Sequence, residues 1–239
     1  GLGMLVHAHM MHSSVEQDLF LGNTLIDMYS NCGNLMDAYR VFDLMVDRGL
    51  VSWNAMMSSY LQQSQAGKAL RLYRQMLEEG VDGDHHTLVF ALQACCNLIS
   101  DGTNHLGEQS PNLISLEIGN ALHVHVRRKG FTKSVFVGTA LLSMYRKCGS
   151  VEEAENVFIV LSQRNVVSWN AMIAGFVRND QDKEALLLFG KMQMNGVVPS
   201  NVTFIAILSG LSSSSTLDQG KMIHHFIVCN ECDQDIVIE

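Results

Sequence analysis

Apolar residues recur along this chain at three- and four-residue intervals, the spacing that puts them on one face of an α-helix. The stretch Val166–Ser200 shows the pattern most plainly. A first helix is predicted over about Val167–Val177, a turn at Asn179–Asp182, and a second helix over about Lys183–Met194. In the second helix Leu186, Phe189 and Met192–Gln193 form the apolar stripe. The run from Ser150 to Glu153 reads as a capping box opening another second helix, and Gly80, Gly130 and Gly196 sit where second helices should stop. No apolar run approaches the roughly 18 residues that a membrane span needs.

The helical pattern repeats. VSWNAM occurs at Val51–Met56 and again 116 residues later at Val167–Met172, and the two copies hold the only two tryptophans. MYSNCG (Met28–Gly33) returns as MYRKCG (Met144–Gly149), and His7 with His9 returns as His123 with His125. His224 follows His123 by 101 residues, so one cycle carries 15 extra residues; the polar stretch Ser100–Ser115 reads as an enlarged loop that holds them. Each 101-residue cycle divides into units of 31, 35 and 35 residues. Units of about 20–50 residues signify stacked repeats, each too small to bury its own apolar face. The predicted fold is therefore an all-α solenoid of helix-turn-helix repeats.

Composition adds constraints. The length suits one large domain or two small ones, and 47% apolar residues with two prolines allow a sizeable core. The formal net charge is -8, the opposite of a typical basic nucleic-acid binder, so binding driven by bulk phosphate attraction is disfavoured. Six scattered cysteines form no dense disulfide framework and suit a reducing compartment.

The unit lengths and their order, together with VVSWNAMI, MYRKCGSVEEAENVF and the histidine helix GKMIHHFI, resemble the pentatricopeptide repeat family, in particular its plant P-L-S subclass. The resemblance divides the chain into a partial L unit (1–18), an S unit (19–49), a P unit (50–84) and an L unit with an insertion near 100–115 (85–134). An S unit (135–165), a P unit (166–200), an L unit (201–235) and the start of another S unit (236–239) follow. Both ends cut a repeat, which implies part of a longer protein whose targeting segment lies elsewhere. Tetratricopeptide repeats, which serve as protein-protein scaffolds, are the nearest alternative; they lack the 31/35/35 cycle and carry a different tryptophan–leucine–glycine signature.

The resemblance implies a right-handed superhelix that binds single-stranded organellar RNA, one base per repeat, through side chains at the fifth and last positions of each unit. An amide there offers both a donor and an acceptor to a pyrimidine edge. Asn54 with Asp84 implies uridine, Thr139 with Asn165 adenosine, and Asn170 with Ser200 cytidine. Asn23 pairs with Gly49 and implies only a pyrimidine. The L units offer Val89 with Ser134 and Ile205 with Asp235, whose aliphatic members cannot hydrogen-bond a base. The implied site reads Y-U-n-A-C-n. Phe20, Val51, Phe136 and Val167 are expected to flank bases, an interaction worth about 1–3 kcal/mol for an aromatic stack. Lys147 and Arg178 are candidate phosphate contacts, with solvated surface charge as the competing reading.

The same resemblance implies organellar RNA processing, such as C-to-U editing in a mitochondrion or chloroplast, with RNA-editing proteins as further partners and neither DNA nor membrane. No catalytic residue, metal or cofactor is expected. Zinc deaminases need H-x-E and P-C-x-x-C; no histidine here has glutamate two residues later, and Cys229 follows Val228. Cys229 and Cys232 form a lone C-x-x-C without a second pair. Trp53 and Trp169 are expected in the core rather than on RNA. Cys32 and Cys148 are expected as small core residues, and His7, His123 and His224 as packing or helix-end groups.

Overall fold

Capping fixes where the helices of this chain begin. Asp18 accepts the amides of Phe20 at 2.9 Å and Leu21 at 3.3 Å, and Asn165 Oδ1 accepts the Ser168 amide at 2.9 Å. Each bond satisfies a donor that a first turn would leave unpaired. The structure, a computed structural model, describes residues 18–100, 111–211 and 217–229. Among them are twelve α-helices and no strand. His7, His9, Cys232, Asp235 and the terminal units at 1–17 and 236–239 lie outside the described residues.

The helices fall into two compact units, Gly1–Lys129 and Gly130–Glu239. The first holds α1 (Leu19–Asn31), α2 (Leu35–Leu44), α3 (Leu50–Gln62), α4 (Ala66–Glu78), α5 (His85–Ser100) and α6 (Pro111–Arg128). Consecutive helices pair as hairpins, and the first helix of each pair packs on the next: α1 on α3, and α3 on α5. The second unit opens with a 3-10 turn, Phe131–Lys133, followed by α7 (Val135–Cys148) and α8 (Val151–Val160). It continues with α9 (Val166–Arg178), α10 (Asp182–Met194), α11 (Asn201–Gly210) and α12 (Leu217–Cys229). Here α7 packs on α9 and α9 on α11. Each unit is thus a stack of helix-turn-helix repeats, and among the described residues no helix is long and apolar enough to cross a membrane.

Helix α4 shows how the pattern becomes packing. Ala66, Ala69, Leu72, Tyr73 and Met76 are buried at three- and four-residue steps, while Arg71, Arg74 and Glu78 face water. Trp53 and Trp169 are fully buried, as expected of core residues. Each meets a phenylalanine of the preceding helix edge-on: Phe42 at 4.8 Å and Phe158 at 4.9 Å. Arg48 and Arg164 lie over those phenylalanine rings at 5.3 and 4.8 Å. Three residues, Phe42, Arg48 and Trp53, therefore recur with their geometry 116 residues on as Phe158, Arg164 and Trp169.

Several local expectations change. Helix α9 is one residue longer at each end than predicted and α10 one residue longer at its start. Ser100 closes α5 and Pro111–Ser115 open α6, so both ends of the stretch expected as a loop are helical. Ser150 does not make a capping box: its hydroxyl donates to the Glu153 carboxylate instead of accepting an amide. Cys32 is exposed and Cys148 half-buried, so neither is a core residue; burial still pushes the Cys148 thiol up to about 11. His224 is exposed, whereas His123 is half-buried and burial lowers its pKa; His125 Nδ1 lies 2.7 Å from the Tyr73 hydroxyl.

Gly138 and Gly22 mark close approaches at equivalent positions. A Cβ on Gly138 would lie 2.2 Å from Leu161 Cδ2 and 3.2 Å from its Cγ, and Leu161 is itself buried. A Cβ on Gly22 would meet only the Met45 thioether and its terminal methyl under 3.0 Å. Gly138→Ala is expected to lower stability by about 1–3 kcal/mol, the usual cost of overpacking. Gly22→Ala should cost less, because methionine repacks readily. Urea unfolding followed by circular dichroism ranks the two; equal losses would contradict the difference in packing.

Candidate nucleic-acid interface

Among the described residues, those expected to close repeats stand at the N-caps of the first helices that follow. Gly49 precedes α3, Ser134 α7, Asn165 α9 and Ser200 α11. Asp84 does the same for α5: its Oδ1 accepts the Thr87 amide at 2.9 Å, and Thr87 Oγ1 accepts the Asp84 amide at 3.2 Å. A capping residue is held beside the first turn of its own helix. Because first helices stack, it also comes beside the fifth residue of the helix before.

In the first unit this brings Asn54 and Asp84 together. Asn54 Nδ2 donates to Asp84 Oδ1 at 3.3 Å, while Thr87 Oγ1 lies 2.8 Å from Asn54 Oδ1 and 2.9 Å from Asp84 Oδ1. They border a groove of about 410 Å³ between α1, α3 and α5, lined also by Asp27, Val51, Ser58 and His86. Burial alone would raise the Asp84 pKa. Hydrogen bonds from the Thr87 amide and hydroxyl, His86 and Asn54 outweigh it and hold the carboxyl at about 2. Asp84 is therefore an ionised acceptor throughout the ordinary pH range.

That depression has a stability consequence. The folded value lies below the ordinary 3.8, so the carboxylate contributes stability that is complete above about pH 5 and lost as pH falls through about 2. The difference in Tm between the protein and Asp84→Ala should accordingly narrow as pH drops from 5 to 2. A constant gap across that window would show that the charge is not the source.

In the second unit Asn170 and Ser200 meet in the same way. Asn170 Nδ2 donates to Ser200 Oγ at 3.1 Å, and Thr203 Oγ1 donates to Asn170 Oδ1 at 2.6 Å. Thr203 Oγ1 also accepts the Ser200 amide at 2.9 Å and lies 3.2 Å from Ser200 Oγ. Asn54, Asp84 and Thr87 thus correspond, 116 residues apart, to Asn170, Ser200 and Thr203.

Other expected site residues are placed less tightly. Thr139 Oγ1 is buried with no hydrogen-bond partner, so no bond joins it to Asn165, whose Oδ1 is taken by the Ser168 amide. Asn23 Oδ1 is buried and unpartnered, and Gly49 has no side chain to offer it. Phe20, Phe136, Val51 and Val167, the second residues of their helices, are all exposed, Phe20 to 82% and Phe136 to 74%. Lys147 is half-buried and Arg178 exposed, each in the last turn of its helix, where a cation also complements the helix dipole. Val89 is half-buried, Ser134 half-buried and Ile205 exposed.

Three residues of the interface were not among the expected ones. Thr87 and Thr203 complete the two asparagine networks. His86 occupies the second position of α5, where the equivalent residues are apolar, and its Nδ1 lies 3.4 Å from Asp84 Oδ2. With His85 these two bring three ligand-type atoms within 4.8 Å of one another, enough to offer a cation three donors. The run of Asp84, His85 and His86 was the available sequence signal for that cluster.

Comparison with known proteins finds two matching family models. Residues 49–97 and 164–213 match a model described as the PPR repeat family, and residues 23–50 and 139–166 a model described as PPR repeat. A chloroplastic pentatricopeptide repeat-containing protein of Arabidopsis thaliana is 35% identical over 237 residues, covering 99% of this chain and 27% of that protein. A mitochondrial one from the same plant is 34% identical over 233 residues, covering 95% of this chain and 33% of the relative. The chain thus spans a third or less of the length of these relatives. The PPR domain of Arabidopsis thaliana protein-only RNase P 1, solved in complex with tRNA, superposes with a TM-score of 0.55 at 15% identity. That match covers 76% of this chain and 89% of the domain, and it shows a shared fold.

Proposed function

This chain belongs to the pentatricopeptide repeat family, and from that premise we propose that it binds single-stranded RNA by reading one base per repeat. The observation that carries the reading is the hydrogen-bonded pair of an asparagine and the next helix's N-cap, formed independently at Asn54–Asp84 and Asn170–Ser200. In each pair the asparagine spends one Nδ2 hydrogen on the N-cap side chain and one Oδ1 lone pair on a threonine. One amide hydrogen and one lone pair are left for a base edge.

The two pairs differ in what the N-cap offers. Ionised Asp84 only accepts, which suits the N3–H of uracil and opposes the N3 lone pair of cytosine. Ser200 carries a hydroxyl hydrogen that can be given to cytosine N3. The first unit then reads uridine at Asn54 and the second reads cytidine at Asn170. Thr139 with Asn165 reads adenosine, Asn23 takes a pyrimidine, and the register is Y-U-n-A-C-n. Phe20, Val51, Phe136 and Val167 flank the bases, and their exposure supports that role. Stacking and edge recognition need little net positive charge, which accommodates the -8 of the chain.

The repeat units follow the boundaries of the sequence reading, with S, P and L units in order. The whole protein acts in a chloroplast or mitochondrion on an organellar transcript, and C-to-U editing is the processing step proposed. This chain serves as its non-catalytic specificity module.

Selection of RNAs from a randomised pool by the full-length protein tests the reading. Enrichment of U at the second and A–C at the fourth and fifth positions is expected, with Asn54→Ala and Asn170→Ala each erasing one of these preferences. Enrichment without that spacing overturns the register. Selection of no RNA, with retained binding of a protein partner by both variants, would establish a scaffold instead.

A further inference from the structure

Asparagine can present either end of its carboxamide, and a half-turn about Cβ–Cγ exchanges its donor for its acceptor. Something must set that choice if the side chain is to select a base. At Asn54 two groups do so. The Asp84 carboxylate demands the Nδ2 end at 3.3 Å, and Thr87 Oγ1 stands 2.8 Å from the Oδ1 end. At Asn170 the neighbouring Ser200 hydroxyl can donate or accept and so imposes no orientation. Thr203 does impose one. Its Oγ1 already accepts the Ser200 amide, so its single proton is directed to Asn170 Oδ1 at 2.6 Å.

We propose that Thr87 and Thr203 are positioning residues for base selection, fixing which end of the Asn54 and Asn170 carboxamides faces RNA. This rests on the RNA reading above. Both threonines are fully buried, so they act through the asparagines and not by touching a base. Units that lack the threonine lack the lock. The third residue of α3 is Ser52, whose hydroxyl is buried and unpartnered, and the corresponding Asn23 Oδ1 is unpartnered too. The third residue of α9 is Ser168, whose hydroxyl turns back to the Asn165 carbonyl at 2.8 Å and leaves Thr139 unbonded. The two P units are thereby the sharp readers of the chain, and the residue that makes each one sharp belongs to the following repeat.

The test measures affinity of the full-length protein for short single-stranded RNAs of the form Y-U-n-A-C-n, varying the fifth base and then the second. Thr203→Val keeps the shape and removes the hydroxyl. Preference for cytidine over the purines at the fifth base is expected to fall from about tenfold or more to about twofold, the loss of one oriented hydrogen bond. Preference at the second base stays unchanged in that variant, which a general loss of folding would not allow. Thr203→Ser retains the fifth-base preference. Thr87→Val weakens selection at the second base by a smaller factor, because Asp84 still orients Asn54.

Undiminished fifth-base preference in Thr203→Val overturns the proposal, and so does a Thr203→Ser variant that loses as much as Thr203→Val. Should Thr203→Val fail to fold, Thr87→Val decides: unchanged second-base selection counts against the lock. If the unmutated protein shows no preference at either base, the RNA reading itself fails and this proposal falls with it.

Discussion

On the proposed RNA reading, Asp84→Asn is expected to convert the second base preferred by this protein from uridine to cytidine. The carboxylate, held ionised with its pKa at about 2, presents only lone pairs to the groove. Uracil meets it with N3–H, whereas cytosine meets it with another lone pair. An asparagine at 84 can turn an N–H outward, satisfying cytosine N3 and opposing uracil. An unsatisfied polar contact costs about 1–3 kcal/mol, so the ratio of uridine to cytidine affinity should fall by about ten- to a hundredfold. The exchange leaves the fold intact, because asparagine caps a helix as well as aspartate does. Equilibrium binding to two RNAs differing only at that base measures the change. An unaltered ratio would remove Asp84 from the set of reading residues.

The largest expected loss of stability comes from Trp53→Ala. The indole is fully buried and meets the Phe42 ring edge-on at 4.8 Å, fastening α3 to the preceding hairpin. Truncating a buried tryptophan costs about 3–5 kcal/mol, a large part of the roughly 5–15 kcal/mol that holds a domain together. Trp53→Phe should cost far less, because the indole Nε1 makes no hydrogen bond and only ring volume is lost. Urea unfolding of the three proteins, followed by circular dichroism, gives the order. If Trp53→Phe is as damaging as Trp53→Ala, volume is not what the site requires. Retained uridine preference in Trp53→Phe is also expected, since Trp53 is absent from the groove lining that contains Asn54.

Most of the helical hairpins were legible because repetition multiplies weak signals. One VSWNAM says little, but two copies at a fixed offset locate equivalent helices and mark Asn54 and Asn170 together. Side-chain hydrogen bonding was less legible. Ser150 followed by Glu153 matches a capping box, yet the Ser150 amide is already given to the Tyr145 carbonyl, and the Glu153 carboxylate takes the Ser150 hydroxyl proton instead. Thr139 and Asn165 occupy the expected positions, but Asn165 has committed its oxygen to its own helix. Cys32 recurs with Cys148 and still lies exposed, because it follows the last turn of α1 at the Gly33 bend rather than facing a neighbour. Thr87 and Thr203 escaped notice since a buried threonine in a helix carries no local signature; only its partner 33 residues earlier gives it meaning.

On the proposed reading, the position that closes a repeat answers to two demands at once. It must start a helix, and helices start well from aspartate, asparagine, serine, threonine or glycine. Those are the residues seen here: Gly49, Asp84, Ser134, Asn165 and Ser200. This small set already includes a pure acceptor, an amide, a hydroxyl and an absent side chain. If the proposed RNA reading holds, a lineage can therefore rewrite the base that a repeat requests by exchanging one good helix starter for another, with little penalty to folding. Target choice can drift while the scaffold stays put, and a repeat can fall silent through glycine without leaving the array.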